Sequence, residues 1–296
     1  MQQTREQGEA SATSLDGPQA GEMASPDVPI YDSAAQPHPF LEEWQELWRY
    51  RDLVFQWSGR NIKLRYKRSA LGVLWTLLEP LMLMLILTVV FSTVFRPMEG
   101  FPVYLLAGLI LFDFFNRSTL LIVEEIIASQ SLAERVHVPR SAFAVAAVLT
   151  YLTHWVIAHV PLLAIMLFFG RPLSFALLTL PLGLLLAALF ALGVGLIVAT
   201  LGAFFHDIRL TYQVLLTGWF YATPVIYPLD VVPEGMQVYF RLNPMYVLLR
   251  LVRQPVYDGA MPPASLWLAG IAISVSTLVL GWWTFTRWRN AFDYRR

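Results

Sequence analysis

The sequence predicts an all-α integral membrane protein with six transmembrane helices. Two observations lead to this fold class. Hydrophobic residues occupy 56% of the 296 positions and charged residues only 14%, whereas a soluble domain has roughly 25% charged residues. In addition, several apolar runs are long enough to cross a membrane, since a spanning helix needs about 20 mostly apolar residues. The lipid bilayer is therefore the expected surrounding of most of the chain.

The first 39 residues differ from the rest of the chain. They are rich in Gln, Ser, Ala, Pro and Glu and show no apolar periodicity, so we expect a disordered cytoplasmic tail. No short hydrophobic core typical of a secretory signal precedes the first long apolar run, which begins near Leu71. The predicted organisation is a tail over 1–39, an amphipathic interfacial helix with a basic linker over 40–70, and a six-helix transmembrane domain over 71–296.

The segment over 40–70 combines apolar and charged residues. Its apolar residues recur at roughly helical spacing: Leu41, Trp44, Leu47, Trp48, Val54 and Phe55. This pattern predicts an amphipathic helix at the membrane interface, which Gly59 is expected to interrupt. A solvated helix that packs on another protein is the alternative. Both interpretations place the segment in the cytoplasm.

Six apolar segments are predicted to cross the membrane, over 71–95, 101–123, 142–169, 175–201, 211–227 and 266–285. An even number of crossings returns the C-terminus to the side of the N-terminus. The basic residues between 60 and 68 and seven further arginines then lie in the cytoplasm, as the positive-inside rule expects. These arginines are Arg135, Arg140, Arg209, Arg287, Arg289, Arg295 and Arg296.

Several polar residues lie inside the predicted spans, where ionisable groups usually face a bundle interior, a cavity or each other. Asp113 and Arg117 are four residues apart and are expected to pair along one helix face; this pair marks either a polar pathway or a packing contact. His154 and His159 are five apart, which favours interhelical hydrogen bonds over metal binding. Glu79 precedes Pro80, a residue that can bend the first span.

Small residues follow one another at every fourth position of the fourth segment: Gly183, Ala187, Ala191, Gly195, Ala199 and Ala203. Such a stripe lets two helix backbones approach closely. We expect close packing within the chain, with a dimer interface as the alternative.

The stretch over 221–263 is dense in proline and aromatic residues. It is too apolar for a solvated loop and too often interrupted for one straight helix, so two short re-entrant helices are predicted, over about 233–242 and 244–256. Asn243 and Pro244 would form the turn between them. Arg241, Arg250 and Arg253 are then expected to line an aqueous exit on the outer side.

The sequence contains no motif for ATP hydrolysis or for the common catalytic chemistries. Neither Lys63 nor Lys67, the two lysines of the chain, follows a glycine, so the G-x-x-x-x-G-K-[ST] phosphate loop is absent. The chain also has no cysteine, and its 21 basic and 21 acidic residues balance, which argues against nucleic-acid binding. We therefore assign no catalytic, cofactor-binding or metal-binding residue and expect an external energy source.

Four short motifs, in order along the chain, resemble those of permease subunits in bacterial polysaccharide ABC exporters. The first runs from Arg65 to Trp75 and continues as Leu-Glu-Pro-Leu over 78–81; the others are Val-His-Val-Pro-Arg over 136–140, Thr-Pro-Val-Ile-Tyr-Pro over 223–228 and Leu-Asn-Pro-Met over 242–245. Such permeases handle O-antigen, capsule or teichoic acid. One departure is His206 before Asp207, where these permeases more usually have Arg.

The resemblance implies a homodimeric permease in the bacterial cytoplasmic (inner) membrane. Two copies of a separate ATPase would bind ATP and Mg²⁺, and a lipid-linked polysaccharide would pass between the two permeases. The charged cytoplasmic segment over 131–140 is then expected to dock the ATPase through Glu134, Arg135, His137 and Val138. Aromatic residues would line the channel or its exit, namely Trp219, Tyr221 and Tyr227.

Two other functions compete with polysaccharide export. One is an ABC exporter of small lipids or drugs, which the long aromatic outer stretch disfavours. The other is a membrane-embedded glycosyltransferase or acyltransferase, for which His137 and Asp113 are the available candidates for a catalytic group.

Overall fold

The computed structural model describes residues 39–91, 98–129, 138–171, 173–205 and 207–288, and every regular element within them is helical. All but the last residue of the predicted tail lies outside these ranges.

The N-terminal segment forms two consecutive helices, α1 (Pro39–Arg49) and α2 (Arg51–Tyr66). The break falls at Tyr50, whose φ and ψ are −96° and 20°, and not at the predicted Gly59, which lies within α2. A glycine inside a helix costs only about 1 kcal/mol. The packing of α2 against a later helix, with Val54 and Ser58 buried, offsets that cost.

Five helices are long and apolar enough to cross a membrane, over Gly72–Phe91, Phe101–Ala128, Arg140–Phe168, Phe175–Gly202 and Ala264–Arg287. Their α-helical parts are α3 (Trp75–Phe91), α4 (Phe101–Ala128), α5 (Arg140–Phe168), α6 (Leu180–Gly202) and α10 (Ala264–Arg287). Short 3-10 turns over Gly72–Leu74 and Phe175–Thr179 lead into α3 and α6. These helices match five of the six predicted spans.

The remaining predicted span, over 211–227, is shorter than expected. It forms α7 (Ile208–Ala222), whose 15 residues extend about 22 Å at 1.5 Å per residue, while the hydrocarbon core of a bilayer is about 30 Å thick. The helix ends because Thr223, the residue before Pro224, is extended. A sixth crossing therefore stays a prediction.

The outer stretch contains two short helices close to the predicted ones, α8 (Glu234–Arg241) and α9 (Pro244–Arg253). A π-helical turn over Gln254–Asp258 follows α9. Asn243 caps α9, and Pro244 occupies its first turn, where the missing N–H of proline leaves no bond unmade. The depth of α8 and α9 in the bilayer stays a prediction.

Helix α4 lies at the centre of the core, where it packs against α5 and α6, and α6 in turn packs against α10. Helix α4 starts after Gly100, whose φ of 69° favours glycine. The small-residue stripe of α6 packs within the chain, with Gly195 against Ile122 of α4 and Gly183 against Val252 of α9. By contrast, none of the α3 residues is buried.

Two glycines outside the predicted stripe mark the closest approach between helices. A Cβ atom on Gly193 of α6 would lie 2.5 Å from the carbonyl oxygen of Thr277 in α10, and one on Gly281 would overlap the Gly193 backbone.

We expect Gly193→Ala to destabilise the protein by about 1–3 kcal/mol, the usual effect of overpacking, because backbone atoms cannot move aside. Thermal unfolding of the purified protein measures this. Gly218→Ala is the control, since nothing lies within 4 Å of its Cβ position; equal stability of both variants would contradict the close contact.

Candidate functional site

A cluster of three charged residues joins α3 and α4. Arg117 Nε donates to Asp113 Oδ1 over 2.6 Å, which is the pair predicted from their spacing. Arg117 Nη2 also donates to Glu79 Oε1 of α3. The sequence placed Glu79 beside a helix-bending proline but contained no signal that it would join the pair. The cluster therefore holds two carboxylates and one guanidinium.

A cavity of about 220 Å³ lies beside this cluster, between α3, α4 and α7. Glu79, Asp113, Asn116 and Thr217 contribute its polar groups, and the rest of the wall is mainly apolar and aromatic. The side chains of Asp113 and Glu79 are 49% and 53% exposed. Because charged groups are costly in contact with lipid, this wall requires water or protein on its open side.

The three aromatic residues predicted to line a channel occupy different positions. Tyr221 is 61% exposed and lies at the cavity. Trp219 is packed between Phe115 and Phe190, with ring centroids 5.2 and 6.2 Å away. The Tyr227 hydroxyl donates to the Tyr221 carbonyl oxygen over 2.6 Å. Of the three, Tyr221 is therefore the one that contributes to the cavity wall.

The three outer arginines also differ. Arg253 is only 7% exposed; its guanidinium donates to the carbonyl oxygens of Pro224 and Val225 over 2.9 and 2.8 Å and lies 3.7 Å from the centre of the Tyr104 ring. The expectation that Arg253 lines an aqueous exit is therefore not met. The sequence could not show that α9 turns this residue towards α4.

Arg241 and Arg250 are exposed, and their place at an aqueous exit stays a prediction. Arg241 Nη2 donates to Gln237 Oε1 over 3.2 Å, one turn earlier in α8. The Arg250 guanidinium lies 6.0 Å from the centre of the Tyr246 ring. Both side chains thus remain on the exposed surface of their helices.

Asn243 fixes the junction between α7 and α9. Its Oδ1 accepts from the Met245 backbone N–H over 3.0 Å and from Trp219 Nε1 over 2.9 Å. Its Nδ2 donates to the Ala222 carbonyl oxygen over 3.1 Å and to Thr223 Oγ1 over 2.9 Å. All four hydrogen-bonding positions of the amide are used, so this side chain ties the end of α7 to the start of α9.

We expect Asn243→Asp to lower the stability by about 1–3 kcal/mol, because a carboxylate keeps the two acceptor contacts but repels the Ala222 carbonyl oxygen that the amide donates to. Thermal unfolding and export by the variant measure the effect. Gln45→Glu, which makes the same change of amide to carboxylate at an exposed position of α1, is the control. If Asn243→Asp proved as stable as Gln45→Glu, the junction would not depend on the amide.

A second junction connects the start of α4, the end of α5 and the turn after α9. Tyr257 donates its hydroxyl to the Glu99 carbonyl oxygen over 2.7 Å, and the Arg171 guanidinium lies 4.4 Å from the centre of the Tyr257 ring. Arg171 also donates to the Glu99 carbonyl oxygen. Partial burial raises the pKa of the Tyr257 phenol above its usual value, so the hydroxyl stays a hydrogen-bond donor.

The histidines of α5 serve local hydrogen bonds. His154 Nδ1 contacts the Thr150 carbonyl oxygen at 2.7 Å, and His159 Nδ1 contacts that of Trp155 at 2.8 Å. These bonds run within one helix, so the predicted interhelical bonds are not the ones observed. No group of three His, Asp or Glu side chains that could hold a metal occurs in the described ranges.

The end of the bundle nearest the predicted docking segment is built from α2, α4 and α5. Trp57 Nε1 of α2 donates to Glu125 Oε2 of α4 over 2.9 Å, and Arg209 forms a 2.7 Å ion pair with Glu124. Val138 packs on the small apolar cluster between α2 and α5. The other predicted docking residues, Glu134, Arg135 and His137, lie outside the described residues.

Comparison with known proteins identifies the family. The profile described as "ABC-2 type transporter" matches residues 53–257 of this chain. The chain belongs to the ABC-2 type transporter family. The matched range starts in α2 and ends after α9, so it includes the charged cluster, the cavity and both junctions.

Individual relatives of this ABC-2 protein carry export-related names. The chain is 30% identical over 237 residues to the "O-antigen export system permease protein RfbA" of Myxococcus xanthus, covering 79% of this chain and 91% of that protein. A protein of the same name from Klebsiella pneumoniae is 27% identical, with 76% and 88% covered. The "Polysialic acid transport protein KpsM" of Escherichia coli is 29% identical, with 68% and 79% covered.

Proposed function

We propose that this chain is the membrane-spanning subunit of an ATP-driven exporter that moves a lipid-linked polysaccharide across the cytoplasmic membrane. The observation that carries the proposal is the similarity to the O-antigen export permease of Myxococcus xanthus along 91% of that protein. The cavity between α3, α4 and α7, with its few polar groups on a mainly apolar and aromatic wall, agrees with a path for a hydroxyl-rich substrate. Neither a membrane-embedded transferase nor an exporter of drugs has comparable support.

The proposed topology has six crossings, with both termini in the cytoplasm. Helix α7 would complete the fifth crossing together with the irregular residues 223–228, whose carbonyl groups are partly bound by Arg253. Irregular backbone at membrane depth requires such internal partners. Helices α8 and α9 would then enter the outer leaflet from outside, with Arg241 and Arg250 at its water boundary.

The proposed assembly contains two copies of this chain and two copies of an ATPase subunit, which would hold ATP and Mg²⁺. The two facts that favour a second copy are the unburied α3 and the open side of the charged cluster. Charged groups on that side need a covering surface other than lipid tails. The polysaccharide would pass between the two permeases, beside this wall.

The ATPase is proposed to dock on the segment over 131–140. We expect the double charge reversal Glu134→Arg with Arg135→Glu to uncouple ATP hydrolysis from export while leaving the membrane domain folded, because both residues are charged and belong to the predicted docking segment and not to a predicted span. Co-purification of the ATPase and export rates measure this. The control is the same reversal at Arg51 and Asp52, an exposed pair on α2; normal coupling in the first variant would remove the docking assignment.

The test of the proposed function uses cells that make the native glycan. Deleting the gene for this chain should leave lipid-linked glycan inside the cell and none at the surface, and the full chain should restore surface glycan. Normal surface glycan in the deletion strain would refute the proposal. Restoration by the chain without any ATPase partner would favour an enzyme or a different transporter class.

A further inference from the structure

The cavity between α3, α4 and α7 has two chemically different walls. Glu79, Asp113 and Asn116 form a polar wall. On the other side, the Phe112 and Phe220 rings pack edge to face with centroids 5.0 Å apart, and Tyr221 continues this aromatic wall. The cavity volume of about 220 Å³ equals the volume of about seven water molecules at roughly 30 Å³ each. The cavity therefore has room for a ring-sized group.

The polar wall has unused hydrogen-bonding capacity. The Oδ1 atom of Asn116 is buried and has no partner within the described part of the chain. The bonds that Arg117 makes use one oxygen of each carboxylate, Asp113 Oδ1 and Glu79 Oε1. Asn116 Oδ1 is closed off from water, so a donor that enters the cavity meets the remaining oxygens of the half-exposed Glu79 and Asp113.

The charge of the wall selects the kind of donor. Two carboxylates share one guanidinium, so their remaining oxygens act as acceptors and do not attract phosphate or carboxylate groups. Sugar hydroxyls are neutral donors that suit these acceptors, and aromatic faces pack on the apolar C–H surface of a sugar ring. An apolar wall opposite a few placed polar groups is the usual form of a small-molecule site.

Resting on the proposed function, we infer that this cavity is a subsite for a neutral, hydroxyl-rich segment of the exported glycan. The half-exposed carboxylates of Glu79 and Asp113 accept hydrogen bonds from sugar hydroxyls. Asn116 borders them, and Phe112, Phe220 and Tyr221 contact the ring face. Arg117 acts as a positioning residue because it holds both carboxylates towards the cavity.

The test uses cysteines placed singly in this cysteine-free chain. Asn116→Cys and Thr217→Cys lie on the cavity wall. Val279→Cys, on an exposed apolar face of α10, is the lipid-facing control, and Tyr239→Cys on exposed α8 is the outer control. Each variant is paired with an ATPase partner carrying an inactivating substitution, so that the transporter is stalled. Labelling by a membrane-impermeant thiol reagent is compared with and without glycan synthesis.

We expect both cavity cysteines to react without glycan, and their labelling rate to fall roughly tenfold with stalled glycan if roughly nine sites in ten are occupied. Val279→Cys should stay unlabelled, and Tyr239→Cys should label equally in both strains. Equal labelling of the cavity cysteines while glycan accumulates inside the cell would overturn the subsite but leave the exporter intact. Surface glycan despite the stalled ATPase would instead refute the proposed function, and this inference with it.

Discussion

Replacing Arg117 with Met is expected to abolish export and to destabilise the protein, because it leaves Glu79 and Asp113 without their shared cation at membrane depth. Removing one partner of a fully buried ion pair costs about 3–5 kcal/mol. Since both carboxylates are about half exposed, we expect a smaller loss, about 1–3 kcal/mol. Thermal unfolding of the purified protein and export in cells measure the two effects.

The matched variants separate charge balance from glycan binding. Arg117→Met combined with Glu79→Gln and Asp113→Asn removes all three charges, so stability should return while export stays low. Arg209→Met breaks an exposed pair with Glu124 and should change stability by no more than about 1 kcal/mol. Full stability and export in the single Arg117 variant would show that the cluster is only a surface contact.

The second large effect is expected at Arg253. Arg253→Met leaves the Pro224 and Val225 carbonyl oxygens without their donors and removes the cation from the Tyr104 ring. Each unsatisfied buried acceptor costs about 1–3 kcal/mol, so a total loss of about 2–6 kcal/mol is expected. Arg253→Lys should recover only part of it, since a lysine cannot reproduce the two-pronged geometry of the guanidinium.

Arg250→Met is the control for this prediction, because Arg250 lies three residues earlier on the same helix and is exposed. Its stability should stay within about 0.5 kcal/mol of the unmodified protein. Thermal unfolding of the three variants provides the comparison. Similar losses for Arg250→Met and Arg253→Met would mean that positive charge in α9, and not the buried contacts, stabilises the outer segment.

Local chemistry made the two short helices predictable. Pro244 after a capping Asn243 is a strong start signal, and α9 begins there. The i, i+4 pair of Asp113 and Arg117 followed from helix geometry in the same way. In each case the residues that determine the feature are close together in the sequence.

Contacts between distant segments were not predictable. The third member of the charged cluster, Glu79, comes from a helix 38 residues away from Arg117, and the carbonyl partners of Arg253 lie 28 and 29 residues from it. The sequence placed Arg253 on the second predicted re-entrant helix, at an aqueous exit. Only the packing of α9 on α4 shows that its side chain points inward.

Contacts between distant segments also explain why α2 continues through Gly59. Gly59 is the weakest helix former in that segment, yet it remains helical because α2 packs along α5. Trp57 contacts Phe143, with ring centroids 4.8 Å apart, and Ser58 bonds with Thr150 over 3.2 Å. Tertiary packing thus overrides the local preference of one glycine.

Transport by purified components tests the proposed function most directly. The chain and its ATPase partner would be reconstituted together in lipid vesicles, with the native lipid-linked glycan in the outer leaflet and ATP outside. We predict that glycan moves to the vesicle interior only when both proteins, ATP and Mg²⁺ are present, and that Arg117→Met stops this movement. Glycan transfer or modification by the chain alone, or no movement with all components present and ATP being hydrolysed, would contradict the proposed function.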